Sequence, residues 1–435
     1  MIIQSRASLK AILPHDWLIS RLGLHGKFMS GSAFPDQFQG RCNEEIPFYK
    51  VADLARSSDG VHMLEPMHTI SDETRKRLKA KLIPKGSIVY AKIGAASLLN
   101  RRRVTTRSCC IDNNMTAFVP EQVSPEWALI WLRSLDFGAY MCPATVPSIS
   151  EGIQADLPLG LPPMEYEQRS IALLNERLPK IDKLITLLED KSSALSSYRQ
   201  SLITRAVTKG LDPNVEMKDS GVAWIGKIPR NFKTIKLKYC LKSPLQYGAT
   251  ESGCAEEENY IRYIRITDIN PSGFLKENGK LYLPKEIAEQ YPVKTKDILF
   301  ARSGATVGKT YFHNNKDDCC FAGYLIKASL SDSKILPKFF YYFTKSACYD
   351  FWKDITLSKA TIQNISADRL NDLSVVCPPI QDQIQIIKFC DDLINETEAI
   401  AEIIKTTCNL LIEYRTSLIS AAVTGQLAID EEASA

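Results

Sequence analysis

Residues 144–168 read ATVPSISEGIQADLPLGLPPMEYEQ and residues 360–384 read ATIQNISADRLNDLSVVCPPIQDQI, and the two align without a gap at a separation of 216. Ala144, Thr145, Ile149, Ser150, Leu157, Pro162 and Pro163 return as Ala360, Thr361, Ile365, Ser366, Leu373, Pro378 and Pro379. The register persists downstream, where Tyr198, Arg199, Ser201, Leu202, Ile203, Ala206, Val207 and Thr208 return as Tyr414, Arg415, Ser417, Leu418, Ile419, Ala422, Val423 and Thr424. Agreement of this length at one offset is an internal duplication. Upstream the offset drifts to 210, as loops of unequal length require: IVYAKIGA from Ile88 resembles ILFARSGA from Ile298, and Cys109-Cys110 matches Cys319-Cys320. Earlier still, LPHDW ending at Trp17 echoes IPRNF ending at Phe232, and YKVADL from Tyr49 echoes IRITDI from Ile264. Each half is a variable globular part followed by a more constant one. The expected boundaries are 1–160 and 213–376 for the globular parts, 161–212 and 377–427 for the constant parts, and 428–435 for a tail.

The constant parts are helices. Pro162-Pro163 can open a helix but not lie within one. Beyond it, Leu174, Leu178, Ile181, Ile185, Leu188, Ser192, Leu195, Arg199, Leu202 and Ala206 recur in steps of four and three, which is a coiled-coil seam. Pro179 predicts a kink or break in that run. The second copy presents Ile394, Ala401, Ile404, Cys408, Leu411, Leu418 and Ala422, with Thr397 and Arg415 intruding. Gly210 and Gly425 supply the C-terminal stops. Connectivity makes the two seams antiparallel, and about 44 residues at a ~1.5 Å rise give a rod of roughly 65 Å, with a globular unit at either end and a pseudo-twofold axis across the middle.

The globular parts read as mixed α/β. Residues 85–93, 258–269 and 296–304 are β-branched and aromatic with partial alternation, and short helices are expected around Trp127 to Tyr140 and Lys338 to Tyr349. Apolar residues at 45% and charged ones at 24% exclude wholesale disorder. The net charge of +4 neither identifies nor excludes a polyanion partner, because a local basic face can hide in a near-neutral total. No run reaches the ~18 apolar residues of a membrane helix and no signal-peptide layout is present, so a cytoplasmic chain with no membrane partner is expected. Its 12 cysteines are dilute and partly in apolar surroundings, which predicts free thiols. The absence of CxxC, HxxxH and HExxH spacings predicts no metal site.

SGATVGKT at Ser303 to Thr310 suggests a nucleotide-binding P-loop, but only three residues separate Gly304 from Gly308 where four are needed to wrap phosphates. Two readings remain, a turn presenting Arg302, Ser303, Thr306, Lys309 and Thr310 to a phosphate backbone and a plain tight turn between strands. Arg101, Arg102 and Arg103, followed by Arg107, occupy the same place in the first half, after a strand bearing Lys92. A charge run of this kind is either a solvated face or a DNA-facing loop whose guanidinium forks hold phosphate or read guanine. The same pair of readings covers Arg262 and Arg265. Gly-x-Ser-x-Gly, helicase and amino-methyltransferase motifs are absent, so no catalytic residue is expected.

Taken together, the PP-x-x-x-x-Q opening (Pro162, Pro163, Gln168), YRQSLITRAVTKGLDPNVEMKDSGVAWIGKIP from Tyr198, ARSGATVGKT from Ala301 and YRTSLISAAVTGQL from Tyr414 resemble the specificity subunits of type I restriction-modification systems, over essentially the whole chain. The resemblance implies two target-recognition domains, each reading half of a split duplex site, joined by two long antiparallel helices that act as a ruler. It also implies docking of two modification subunits, with restriction subunits carrying motor and nuclease functions joining for cleavage. S-adenosylmethionine, ATP and Mg would then sit on those partners and no cofactor on this chain. The sequence departs from the family where GATVGK is replaced by GAASLLN in the first half. Two other readings stay open: a coiled-coil adaptor that binds proteins, and the recognition module of a related phage-defence system without restriction.

Overall fold

The computed structural model describes residues 9–57, 60–141, 147–270, 273–304, 306–358 and 364–427. Two helices dominate it. The first, Met164–Lys209, follows Pro162-Pro163, and the second, Ile380–Val423, follows Pro378-Pro379. Each stops at a glycine in the left-handed region, Gly210 at φ 74° and Gly425 at φ 74°, where a side chain would be strained. The first helix runs through Pro179 unbroken, which corrects the expected break. Leu178 and Ile181 on either side of the proline are buried in the core, and their burial offsets the one hydrogen bond that proline removes.

By contact the chain divides into two units, 1–190 with 404–435, and 191–403. Each contains a globular part and one end of each long helix. In the first unit the Tyr166 hydroxyl donates to the Ala422 carbonyl at 3.1 Å, and Arg415 pairs with Asp182 at 2.8 Å, so rising numbers on one helix meet falling numbers on the other. The helices are antiparallel, as the seam requires. Leu174, Leu178, Ile181 and Leu418 are buried there, while Ile185 and Leu411 pack at the edge of the same core. In the second unit Leu202 and Ile394 pack on the core formed by Ile203, Ile386, Cys390 and Leu393. Leu188, Leu195, Ala401 and Ile404, further along the seam, are half-buried between exposed neighbours. Thr397, the polar intruder, is buried and returns its hydroxyl to the Leu393 carbonyl at 2.7 Å.

The globular parts repeat one topology. The first has a four-stranded sheet ordered Gly26–Ser30, Met115–Pro120, Ile88–Ala91, Arg103–Val104. The second has the corresponding sheet ordered Gln246–Tyr247, Leu325–Ala328, Ile298–Ala301, Thr310–Phe312. A second sheet in each joins a parallel pair, Phe48↔Cys110 in one and Arg262↔Cys319 in the other. The paired cysteines are buried free thiols, Cys110, Cys319 and Cys320 in these strands and Cys109 just before its strand. Each globular part is closed at its neck by an antiparallel strand pair, Leu18↔Leu161 through Arg21↔Pro158, and Lys233↔Cys377 through Lys236↔Ser374. The helix expected around Trp127 is Pro125–Ser134 followed by a 3-10 turn, Phe137–Tyr140; that expected around Lys338 is two helices, Pro337–Phe343 and Ala347–Ser358.

One side chain in each long helix ties these short helices down. Gln383 is fully buried, accepts from the Leu336 amide at 2.8 Å and donates to the Lys334 and Pro378 carbonyls. Its counterpart Glu167 accepts from Ser124, whose hydroxyl caps the helix at the Trp127 amide. Trp127 and Trp131 are fully buried and donate to the Gly160 and Pro158 carbonyls at 2.9 and 2.6 Å. Trp127→Ala is therefore expected to lose ~3–5 kcal/mol of stability to the cavity it leaves, with the Gly160 carbonyl unpaired as well. A denaturant titration of the full chain measures this.

Candidate nucleic-acid interface

The loop after the strand Ile298–Ala301 returns directly into the antiparallel strand Thr310–Phe312. A P-loop instead feeds a helix N-terminus, with its amides free for phosphates. Here the amides of Val307, Gly308 and Lys309 donate to the carbonyls of Gly304, Ala301 and Thr306 at 3.1, 2.7 and 3.1 Å. Gly304 and Gly308, at φ 82° and 80°, supply the left-handed positions that this tight return needs. The loop is a hairpin.

Burial sorts the residues singled out from the sequence. Thr310 is 1% exposed and shares a hydrogen bond with Thr344 at 2.8 Å, so a contact from Thr310 to a duplex is corrected to a structural role. Lys309 reaches the Ile269 carbonyl at 2.8 Å, and burial holds its ammonium below its ordinary pKa. Arg265 forks onto Asp268 at 2.7 and 3.2 Å; that hydrogen bonding raises its pKa, and Asp268 in turn caps the turn Ile266–Asp268. Arg262 donates to the Lys276 carbonyl at 2.9 Å. In the first unit Arg102 is 2% exposed, with Nη2 on the Leu135 carbonyl at 3.3 Å and its plane over the Phe137 ring at 3.8 Å. A buried guanidinium cannot reach a groove, so Arg102 too is corrected. Arg103 is half-buried in a strand, and its Nη1 donates to the Arg102 carbonyl. Arg107 is exposed and pairs with Glu65 at 2.9 Å; Arg101 is exposed.

Arg302 and Lys92 remain, and they occupy the same place. The Arg302 amide donates to the Tyr324 carbonyl at 3.0 Å, and the Lys92 amide to the Asn114 carbonyl at 2.9 Å. The Arg302 carbonyl accepts from Ile365 at 2.8 Å and that of Lys92 from Ile149 at 3.1 Å. Each cation thus projects where its sheet ends and the chain returns toward a long helix. What surrounds it differs. Arg302 lies over the Tyr247 ring at 4.8 Å and within 3.4 Å of Asn364 Oδ1, with Ser303 half-buried, Thr306 exposed and Tyr324 68% exposed beside it. Lys92 donates to Ser30 at 2.9 Å, and burial lowers its pKa. Sequence reasoning missed Tyr247 and Tyr324; the signal available was their place across the sheet from Arg302, which no linear spacing reveals. A cation, amides and exposed rings at a strand end are the groups that hold phosphate and read base edges.

Residues 229–407 match the family model described as Type I restriction modification DNA specificity domain. The Type I restriction enzyme EcoBI specificity subunit of Escherichia coli is 25% identical over 296 residues, 65% of this chain and 61% of the relative. The StySPI specificity subunit of Salmonella potsdam is 23% identical over 61% of this chain and 57% of the relative. By these matches the chain is similar to type I specificity subunits. It spans about three fifths of the length of those two relatives. In fold, it superposes with a TM-score of 0.67 on a chain from a study of complex assembly and conformational transition of the type I R-M system, at 15% identity, covering 95% of this chain and 99% of the other. The hairpin with Arg302 lies within the matched segment; the Lys92 strand end belongs to the half that the family model leaves unmatched, where GAASLLN replaces the glycine-rich return.

Proposed function

We propose that this chain is the non-catalytic, sequence-reading subunit of a cytoplasmic type I restriction-modification complex, and that each globular part reads one half of a bipartite duplex site. The long helices would set the interval between the halves. Two modification subunits would bring S-adenosylmethionine, and restriction subunits with motor and nuclease functions would bring ATP and Mg. The observation that carries this reading is the duplicated sheet end with one cation in a common frame, Arg302 among tyrosines and Lys92 among Ser30 and Asn114. One scaffold with two different sets of recognising side chains suits an asymmetric target.

A second duplication supports two copies of one protein partner. Leu184, Leu187 and Tyr198 are exposed on the first long helix, and Ile400, Ile403 and Tyr414, at the constant offset of 216, are exposed on the second. Leu410 lies on the same stripe as Ile403 and Tyr414 in steps of seven and four. Apolar side chains recurring at helical spacing on a solvent face are what a partner helix covers. Leu187→Asp with Ile403→Asp is expected to leave the circular dichroism of the chain unchanged and to abolish co-purification with a co-expressed modification subunit. Retained co-purification contradicts that docking. Duplex binding by the assembled complex should weaken steeply with salt; an adaptor that binds only proteins would show none.

A further inference from the structure

The arginine run of the first unit leads into a cavity of about 380 Å³ rather than onto a face. Arg101, Arg102, Arg103, Arg133 and Arg415 line it, with Asp136 as the acidic residue of the wall. Arg415 is matched by Asp182 at 2.8 Å. Among the described residues Arg102 and Arg133 are not matched in that way. Arg102 is 2% exposed, donates only to the Asn100 side-chain amide and the Leu135 carbonyl, and its Nε has no acceptor among the described residues. Arg133 is 9% exposed and donates to the Arg102 and Gly60 carbonyls. Burial pulls both guanidiniums down to about 9, and for Arg133 the charges of Arg103, Arg415 and Arg102 add to the effect. Asp136 acts on Arg102 and Asp182 on Arg133 only through space, and buried cations whose direct acceptors are neutral are costly unless a further counter-charge joins them.

The second unit's cavity of about 650 Å³ has Arg199 and Ile203 where the first has Arg415 and Ile419, and it too holds a partly buried cation, Lys345, on the Thr310 carbonyl; Asp391 and Glu398 also line it, however, and Lys338 pairs with Asp391 at 2.8 Å. At the offset of 216 Asp391 corresponds to Asn175. Glu398 corresponds to Asp182, which Arg415 already engages, so the first unit keeps one of the two carboxylates and has more arginines.

We propose that the first-unit cavity is a binding site for a phosphate-type oxyanion, gripped by Arg102 and Arg133 inside and by Arg101 at the mouth. A multiply charged tetrahedral anion fits because planar guanidinium forks donate in pairs to its oxygens and its charge offsets more than one cation. The phosphate belongs to a free small molecule, because guanidiniums as buried as Arg102 and Arg133 do not reach a duplex backbone.

The test is a titration of the full chain with inorganic phosphate, replacing chloride at constant ionic strength, read by melting temperature and by 31P line width. A saturable rise in melting temperature is expected. Arg133→Gln should raise the half-saturating concentration by roughly tenfold or more, as loss of a charge-assisted hydrogen bond does. Arg101→Gln, at the exposed mouth where folding is not at stake, should raise it by a smaller factor and serves if the buried variant does not fold. Phosphate that still saturates in the presence of a short duplex supports a small-molecule site; displacement of the phosphate by the duplex would overturn it. Equal responses to phosphate and chloride, or an unchanged half-saturation in both variants, would overturn the site. The phosphate titration and its two variants need no duplex recognition, so their failure and a failure of the reading role are distinguishable.

Discussion

Insertion of four residues into each long helix, after Asp190 and after Thr406, is expected to lengthen the gap in the methylated target by one to two base pairs and to leave both half-sites as they were. Four residues add ~6 Å of rise and slightly more than one turn, so the inserted helix keeps its seam facing the same way. Base pairs stack ~3.4 Å apart. Both insertion points are exposed and sit at corresponding places in the repeat. Inserting two residues instead rotates the seam by more than half a turn, sets Leu188 and Ile404 against solvent, and should abolish modification altogether. Sequencing of methylated sites in cells that express the variants with their partners reads both outcomes. An unchanged gap after the four-residue insertion would mean that the helices do not set it.

Arg302→Ala is expected to weaken modification at the second half-site by ~1–3 kcal/mol, or roughly 5- to 150-fold, and to relax the sequence read there while leaving the first half-site intact. The residue is half-buried against Tyr247 and Asn364, so its side chain is held in one orientation before any ligand arrives, which favours selective contact. Tyr324→Ala should act on the same half-site through lost stacking. Thr310→Val, by contrast, removes a buried hydroxyl paired with Thr344 and should lower stability with no change in the sequence read. Methylation rates on duplexes varied one half at a time separate these results. A loss spread equally over both halves for Arg302→Ala would count against its role.

The duplication and the two helices were legible because they are local: identical residues at a fixed offset, apolar side chains every three or four positions, glycines at the stops. Pro179 was misread because its cost is local, whereas its compensation, the burial of Leu178 and Ile181, comes from the rest of the core. The burial of Arg102 within its basic run was not legible for the same reason. Whether Arg102 or Arg101 faces solvent depends on Phe137 and Leu135, more than 30 residues away, and the fate of Thr310 depends on Thr344. Arg302 and Lys92 lie at corresponding strand ends, which both the repeat and the sheets place. Tyr247 and Tyr324 come to Arg302 across neighbouring strands, through pairing that the sequence does not print.

The neck pairings, Lys233↔Cys377 and its relatives, bring the two ends of each globular part together, which is the geometry that lets a module be exchanged as a cassette. The most direct measurement is therefore to replace residues 233–377 with the corresponding segment of a family member that has a different target, and to sequence the methylated sites. The account predicts a new second half-site with the first half-site and the gap retained. A change in both halves, or in neither, would contradict it.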